Sequence, residues 1–451
     1  MHKPVIKNGY RITVLLVMLL VIAPVTANAV IDGISGPTFN LTAKAGRIIT
    51  GDGDSIYMWG YANGSGPMQY TGPTLIVNQG DTVVVNLTNN IPTIPGNTAV
   101  NTSIIFLGQL VTASVGTTGL LTNEAPPGGS VTYTFTASNP GTYIYHSGTR
   151  PELQIEMGLI GALIVRPTTG ATCPALTLDP NKPSRGYGYC HLDAYFDREY
   201  LFLLSEMDPT IHQQVEFGNT ALVDDTTRFP VLWFINGRNL PDTMSAPMSP
   251  LLPNQPYDCM PQAHPGEKVL IRMIGGGRDL HPYHTHGNNH TVIARDGRLL
   301  KTAASSVIDL SVSDFTTTSV PGETVDAIWT WTGKKLGWDI YGHNGTETGI
   351  CVTPDPNGFD PVTYEYCPDH GKPFPVLLPN QQELTDGMFW SGSPFLGTSG
   401  PLPPGEGGYN PYAGLFFMWH SHSEKELTNN NIFVGGMATM AVVLPPGVLI
   451  P

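Results

Sequence analysis

The sequence predicts an all-β protein built from two β-sandwich domains, and three observations carry that expectation. Charged residues make up 13% of the chain, about half the usual share for a globular protein. Glycine and proline are abundant, at 51 and 41 residues, so turn formers are frequent, while long amphipathic runs suited to helices are missing. Several segments alternate with a period of two. Val131, Tyr133 and Phe135 stand against Thr132, Thr134 and Thr136, as in a half-buried strand. A length of 451 residues leaves room for two such domains.

The elements follow in order. Residues 1–29 read as a secretory signal. Lys3, Lys7 and Arg11 are its positive region, Ile12 to Ala23 its apolar core, and Ala27-Asn28-Ala29 its cleavage site. The apolar run of 12 residues is short of the roughly 20 that a spanning helix needs. The expectation is therefore a secreted or periplasmic protein with no stable membrane insertion after cleavage. Residues 30–168 form the first domain. Pro73–Pro92 holds two strand-like runs around Gly80-Asp81, and MGLIGALIV closes the domain at Val165. Residues 169–190, rich in Pro, Gly and Thr, read as a linker. Residues 191–451 form the second domain, with EYLFLLSEM, FPVLWFINGR, EKVLIRMIGGG, HTVIARDG and ETVDAIWTWTG as its clearest strands. A long Pro/Gly-rich insertion occupies about 336–412. It is expected to be ordered over the domain, as a lid or an oligomer contact, because structureless loops of that length are uncommon.

Signal cleavage would change the formal net charge from −14 to −17. That acidity argues against nucleic acid or anionic lipid as a partner. It suits cationic substrates, metal ions included, although keeping an exported protein soluble is a sufficient reason for it. Among the five cysteines, Cys173 with Cys190 and Cys351 with Cys367 would each close a short loop, and Cys259 is left over as a free or structural thiol.

The chemistry concentrates in histidines. HPYHTHGNNH carries His281, His284 and His286, and FMWHSHSEKE carries His420 and His422. A His-x-His on a strand puts both rings on one face, and imidazole is a good ligand for copper and zinc. These segments resemble the two C-terminal copper motifs of the multicopper oxidases. The order of segments resembles that family's cupredoxin domain, a Greek-key β-sandwich, and the two-domain layout is similar to the small laccases and copper nitrite reductases. The resemblance implies copper and, by analogy, a homotrimer with metal held between neighbouring subunits.

Set against that family, the chain has lost ligands. Ser421 stands where the type-1 copper cysteine is expected, and a hydroxyl cannot replace a soft thiolate. His281 and Met437 keep type-1 positions, whereas Leu427 replaces the second type-1 histidine. In the first domain Ile105, Leu107 and Gly148 stand at histidine positions, and His146 alone remains. The surviving metal-ligand candidates are His146, His281, His284, His286, His420 and His422. One or two copper ions are expected, rather than a full trinuclear cluster, since each cluster copper loses one ligand. Glu424, Glu426, Glu152, Glu156, Met157 and His290 are replacement ligands by proximity. For each glutamate the competing reading is a solvated or hydrogen-bonded carboxylate, and for His290 a core residue.

The function expected is that of an exported, copper-dependent oxidoreductase acting on a small molecule or metal ion, with dioxygen as a further partner and without the type-1 relay. A copper storage or binding protein and a structural cupredoxin scaffold are the alternatives. No phosphate loop, nucleophile elbow or zinc-protease helix is present in the sequence.

Overall fold

The computed structural model describes residues 31–97, 99–168, 173, 174, 176, 185–331, 400–401, 409–410, 415–444 and 449–450. The signal segment, most of the 336–412 insertion, Cys351 and Cys367 lie outside the described residues. The all-β expectation holds: strands dominate, and the longest described helix is Pro209–Glu216, capped by Asp208, whose carboxylate accepts from Thr210 N.

The first half of the chain makes two five-stranded sheets. One runs in the spatial order Ile34–Ser35, Gly72–Asn78, Ile160–Arg166, Gly141–His146, Ile105–Phe106. The other runs Ser55–Asn63, Thr38–Ile49, Thr82–Asn90, Ser130–Thr136, Thr112–Ser114. Non-sequential neighbours mark crossovers between the two layers, as in Greek-key sandwiches. Alternation does what the sequence implies. Val83, Val85, Leu87, Val131, Tyr133 and Phe135 all face one core, while the threonines between them look outward.

The second half repeats the plan. A seven-stranded sheet is centred on Arg198–Met207, Lys268–Gly275 and Thr324–Thr330. Facing it is a five-stranded sheet in the order Gln262–Ala263, Ala438–Val443, Leu415–Ser421, His281–Thr285, Thr316–Ser319. Trp233, Trp329, Trp331, Trp419, Phe202 and Tyr283 fill the core between them.

A third apolar layer joins the halves. Ile144, Ile160, Ala162 and Ile164 pack against Leu201, Leu203, Phe234 and Ile274. The strands Ile160–Arg166 and Arg198–Met207 are thus covered on both faces. This is why they read as continuous apolar runs rather than alternating ones. Polar residues inside that layer are paired: Arg272 meets Glu199 and Asp326, and Asp326 also accepts from Thr142 and Tyr189. Cys173 and Cys190 form a disulfide, and Cys259 is free and buried.

Candidate metal centre

Two strands build the site. His281–Thr285 lies antiparallel to Leu415–Ser421, with His284 directly opposite His420. Burial alternates along the first, and side-chain direction along both, with His420 itself buried. His281, Tyr283 and Thr285 face inward with Phe417, Trp419 and Ser421, whereas His284, His286 and His420 share the outer face. Ligand nitrogens of His284, His286 and His420 lie within 4.8 Å of one another, and the Nε2 atoms of His286 and His420 are 3.2 Å apart. His422 stands at the rim. Its side chain is 53% exposed, and its ring lies 4.9 Å from that of His284 and 5.4 Å from that of His420.

The opposite ring nitrogens are anchored. His420 Nδ1 donates to the Ser421 carbonyl at 2.7 Å, leaving Nε2 as the lone-pair nitrogen. His284 Nδ1 meets Thr316 Oγ1 at 2.7 Å. Fixing one nitrogen in this way orients an imidazole for metal through the other. Burial and the neighbouring histidines hold His284 down to about 4, and burial also lowers His420. Both are therefore neutral at pH 7, the form that binds metal. The donor set fits a soft-to-borderline ion such as copper.

The inner face is a different construction, and His281 lies there, apart from the converging group. His281 and His284 are an odd number of residues apart, so their rings leave the strand on opposite sides. His281 is 0% exposed and clasped by two carboxylates. Its Nε2 lies 3.0 Å from Glu206 and its Nδ1 2.8 Å from Glu426. Burial alone would lower this histidine, but the bonds and charges of Glu206 and Glu426 outweigh it and push it up to about 9. Two acceptors on two ring nitrogens require an imidazolium. Arg228 extends the chain of charges, bonding Glu206 at 2.6 Å and Glu156 at 2.7 Å. Glu206 also accepts from Arg278 N and Asp279 N. A Cβ at position 277 would fall 1.8 Å from a Glu206 oxygen, so Gly277 is what leaves room for the carboxylate. Ser421 is buried and accepts from Ser423 N, Leu427 packs against Leu240 and Ala438, and Met437 lies in the core. These residues do not fit a type-1 copper.

The first-half positions are likewise closed. His146 ends its strand beside Ile105, and its Nδ1 bonds the adjacent Ser147 carbonyl. It is not part of the converging group. Burial lowers it. At Gly148 a Cβ would stand 2.8 Å from Ile105 Cγ2, so a histidine there would require Ile105 to move. The proposed replacement ligands are committed elsewhere: Glu426 to His281, Glu156 to Arg228, Glu152 to Arg150, and Met157 to the first core. His290 is buried between Thr285 and Thr317 and lowered by burial to about 4, a satisfied core residue. Glu424 is exposed beside His422. Glu206, Arg228 and Thr316 were not singled out by the sequence reading. A glutamate within the apolar run LFLLSEM was the available signal for the first of them.

Two stacked sandwiches define a cupredoxin-type fold, with imidazoles converging at one end of a sheet. A family model described as multicopper oxidase matches residues 52–170. The multicopper oxidase MCE of Talaromyces pinophilus is 38% identical over 109 residues, 24% of this chain and 17% of that one. The L-ascorbate oxidase of Cucurbita pepo var. melopepo is 38% identical over 109 residues, 24% of this chain and 18% of that one. The match thus spans less than a fifth of either curated relative. The blue copper oxidase of Nitrosomonas europaea superposes with a TM-score of 0.52 at 18% identity, covering 91% of this chain and 86% of that one. Residues 52–170 are similar to the multicopper oxidases, and the chain has a cupredoxin-type fold.

Proposed function

We propose that this chain is an exported copper-binding oxidoreductase, acting on a small molecule or a metal ion at a histidine site that has no type-1 relay. The observation that carries the reading is the convergence of His284, His286 and His420 on one outer face. These three residues would hold copper, which would supply one-electron chemistry toward a reductant and dioxygen. The chain's own part is to bind and orient. Thr316 and the Ser421 carbonyl fix the tautomers of His284 and His420. Phe315, edge-on to His284 at 5.7 Å, walls one side of the approach. The similarity of residues 52–170 to the multicopper oxidases supports the reading. A homotrimer, in which His146 of a neighbouring copy reaches the site, extends the same proposal. The two-sandwich domain division at the 169–190 linker belongs to it as well.

The test is copper per chain after dialysis against a weak chelator, followed by oxygen uptake with small reductants. One to two coppers are expected, together with turnover that His284→Ala or His420→Ala abolishes. Copper without turnover would favour the storage alternative. Retention of neither would leave a scaffold.

A further inference from the structure

We propose that a second cavity, lined by none of the converging histidines, binds a small organic ammonium ion that carries an aromatic body. The inference depends neither on copper nor on the oxidoreductase reading. The cavity measures about 360 Å³, within the range of about 300–1,000 Å³ common to small-molecule sites. The first turns of the helix Pro209–Glu216 form one wall and residues between Leu222 and Val231 another. Asn430 joins them from the turn between Asn429 and Ile432.

Charge selects the sign of the ligand. Asp208 and Asp224 line the cavity, and among the described residues no lysine or arginine does. The neighbouring cations are committed elsewhere. Arg228 holds Glu156, Glu206 and Asp279, and Arg278 holds Asp225. Lys425 rests over the rings of Phe229 and Trp233, 4.6 and 5.4 Å from their centroids, where a cation is held by the ring face rather than by a carboxylate. His212, one turn along the helix from Asp208, is lowered to about 4 by burial and is neutral at pH 7. The helix end carries only about half a positive charge, less than the full negative charge of the Asp208 carboxylate that caps it. Asp52 and Asp54, both bonded to Asn430 Nδ2, add to the negative field at the rim.

Spare acceptors select the head group, and apolar surface selects the body. Asp208 is 6% exposed, and its two oxygens each take one backbone N–H, from Thr210 and Phe229, so each keeps a second lone pair. Asp224 accepts from Thr226 through Oδ1 and leaves Oδ2 open. Asn430 gives its Nδ2 to the rim aspartates and keeps Oδ1 as an acceptor. An ammonium group has three donors and no acceptor, the complement of such a set. Phe229 and Leu222, beside these acceptors, are 63% and 66% exposed. A bare metal ion would leave that surface in water, whereas an aromatic body would cover it.

The experiment titrates the full chain in dilute buffer, by calorimetry and by ligand-observed NMR, with phenethylammonium and with 2-phenylethanol, which keeps the ring and lacks the charge. Phenethylammonium should bind about 10-fold more tightly than the alcohol, and added sodium chloride should weaken it. Asp208→Asn keeps a helix cap and should cost about 10-fold or more in affinity. Asp224→Asn, at the exposed mouth, should cost about 2–5-fold, and it carries the test if melting curves show that Asp208→Asn does not fold. His284→Ala should bind as the native chain does. Equal affinity for the two compounds, or no binding of either, overturns the inference and leaves the copper reading standing. Loss of binding in His284→Ala with none in the aspartate variants also overturns it and moves the ligand to the histidines.

Discussion

The inner and outer faces of the strand pair His281–Thr285 and Leu415–Ser421 have taken opposite courses. On the outer face three imidazoles converge, with His284 and His420 each anchored through Nδ1 and lowered by burial. On the inner face, one residue away along each strand, the ligand set has become a buried ion network in which Glu206 and Glu426 hold His281. In place of a metal cation, a proton on His281 balances the carboxylates. The lesson is that losing one ligand does not simply empty a site. A buried histidine without its metal must be neutralised or paired, and this chain pairs it. The two faces therefore respond to different perturbations, the inner one through stability and the outer one through metal affinity.

The largest expected effect is on the inner face. Glu206→Gln leaves His281 and Arg228 short of a buried counter-charge, which should cost about 3–5 kcal/mol, read as a fall in the denaturant midpoint at pH 7 with no loss of metal from the outer face. Next comes pH. His281 rises from an ordinary 6.5 to about 9 in the folded chain. Its contribution is therefore complete below about pH 6.5 and is lost as pH rises through 9, a decline on the order of 3 kcal/mol. Denaturant titrations between pH 7 and 10 should show that decline in the native chain and lack it in His281→Gln. On the outer face, Thr316→Val removes the partner of His284 Nδ1. It should weaken copper binding about 10–100-fold in a chelator competition, while Thr316→Ser restores it. The smallest effect sharpens the contrast most. Ser421→Cys alone should produce no blue copper band, because His281 is already bound on both nitrogens and Leu427 is in the core. An intense visible band would show that the inner face is still a metal site.

Much of the fold was legible because period-two alternation and apolar runs are direct consequences of burial. Thr132 to Phe135 reads as a half-buried strand and is one, and LFLL reads as a fully covered strand and lies between two layers. The outer-face group was legible for the same reason, since residues two apart share a face. That rule also separates His281 from His284 by parity, as the resemblance does in placing His281 at a type-1 position and His284 in the cluster. Glu206 and Arg228 were harder. They lie 75 and 53 residues from His281 in sequence, and no local pattern shows which buried carboxylate will meet which cation across two sheets. Glu426 was noticed for its proximity to His422, yet after His422 the chain turns inward through Glu424–Leu427 and delivers that carboxylate to the opposite face.

The most direct test compares copper retention in two variants of the dialysed, copper-loaded chain, His281→Gln and His284→Ala. The account predicts that His281→Gln keeps the native copper content while losing stability, and that His284→Ala loses the copper while remaining folded. Loss of copper in His281→Gln, with retention in His284→Ala, would contradict it and return the metal to the inner face.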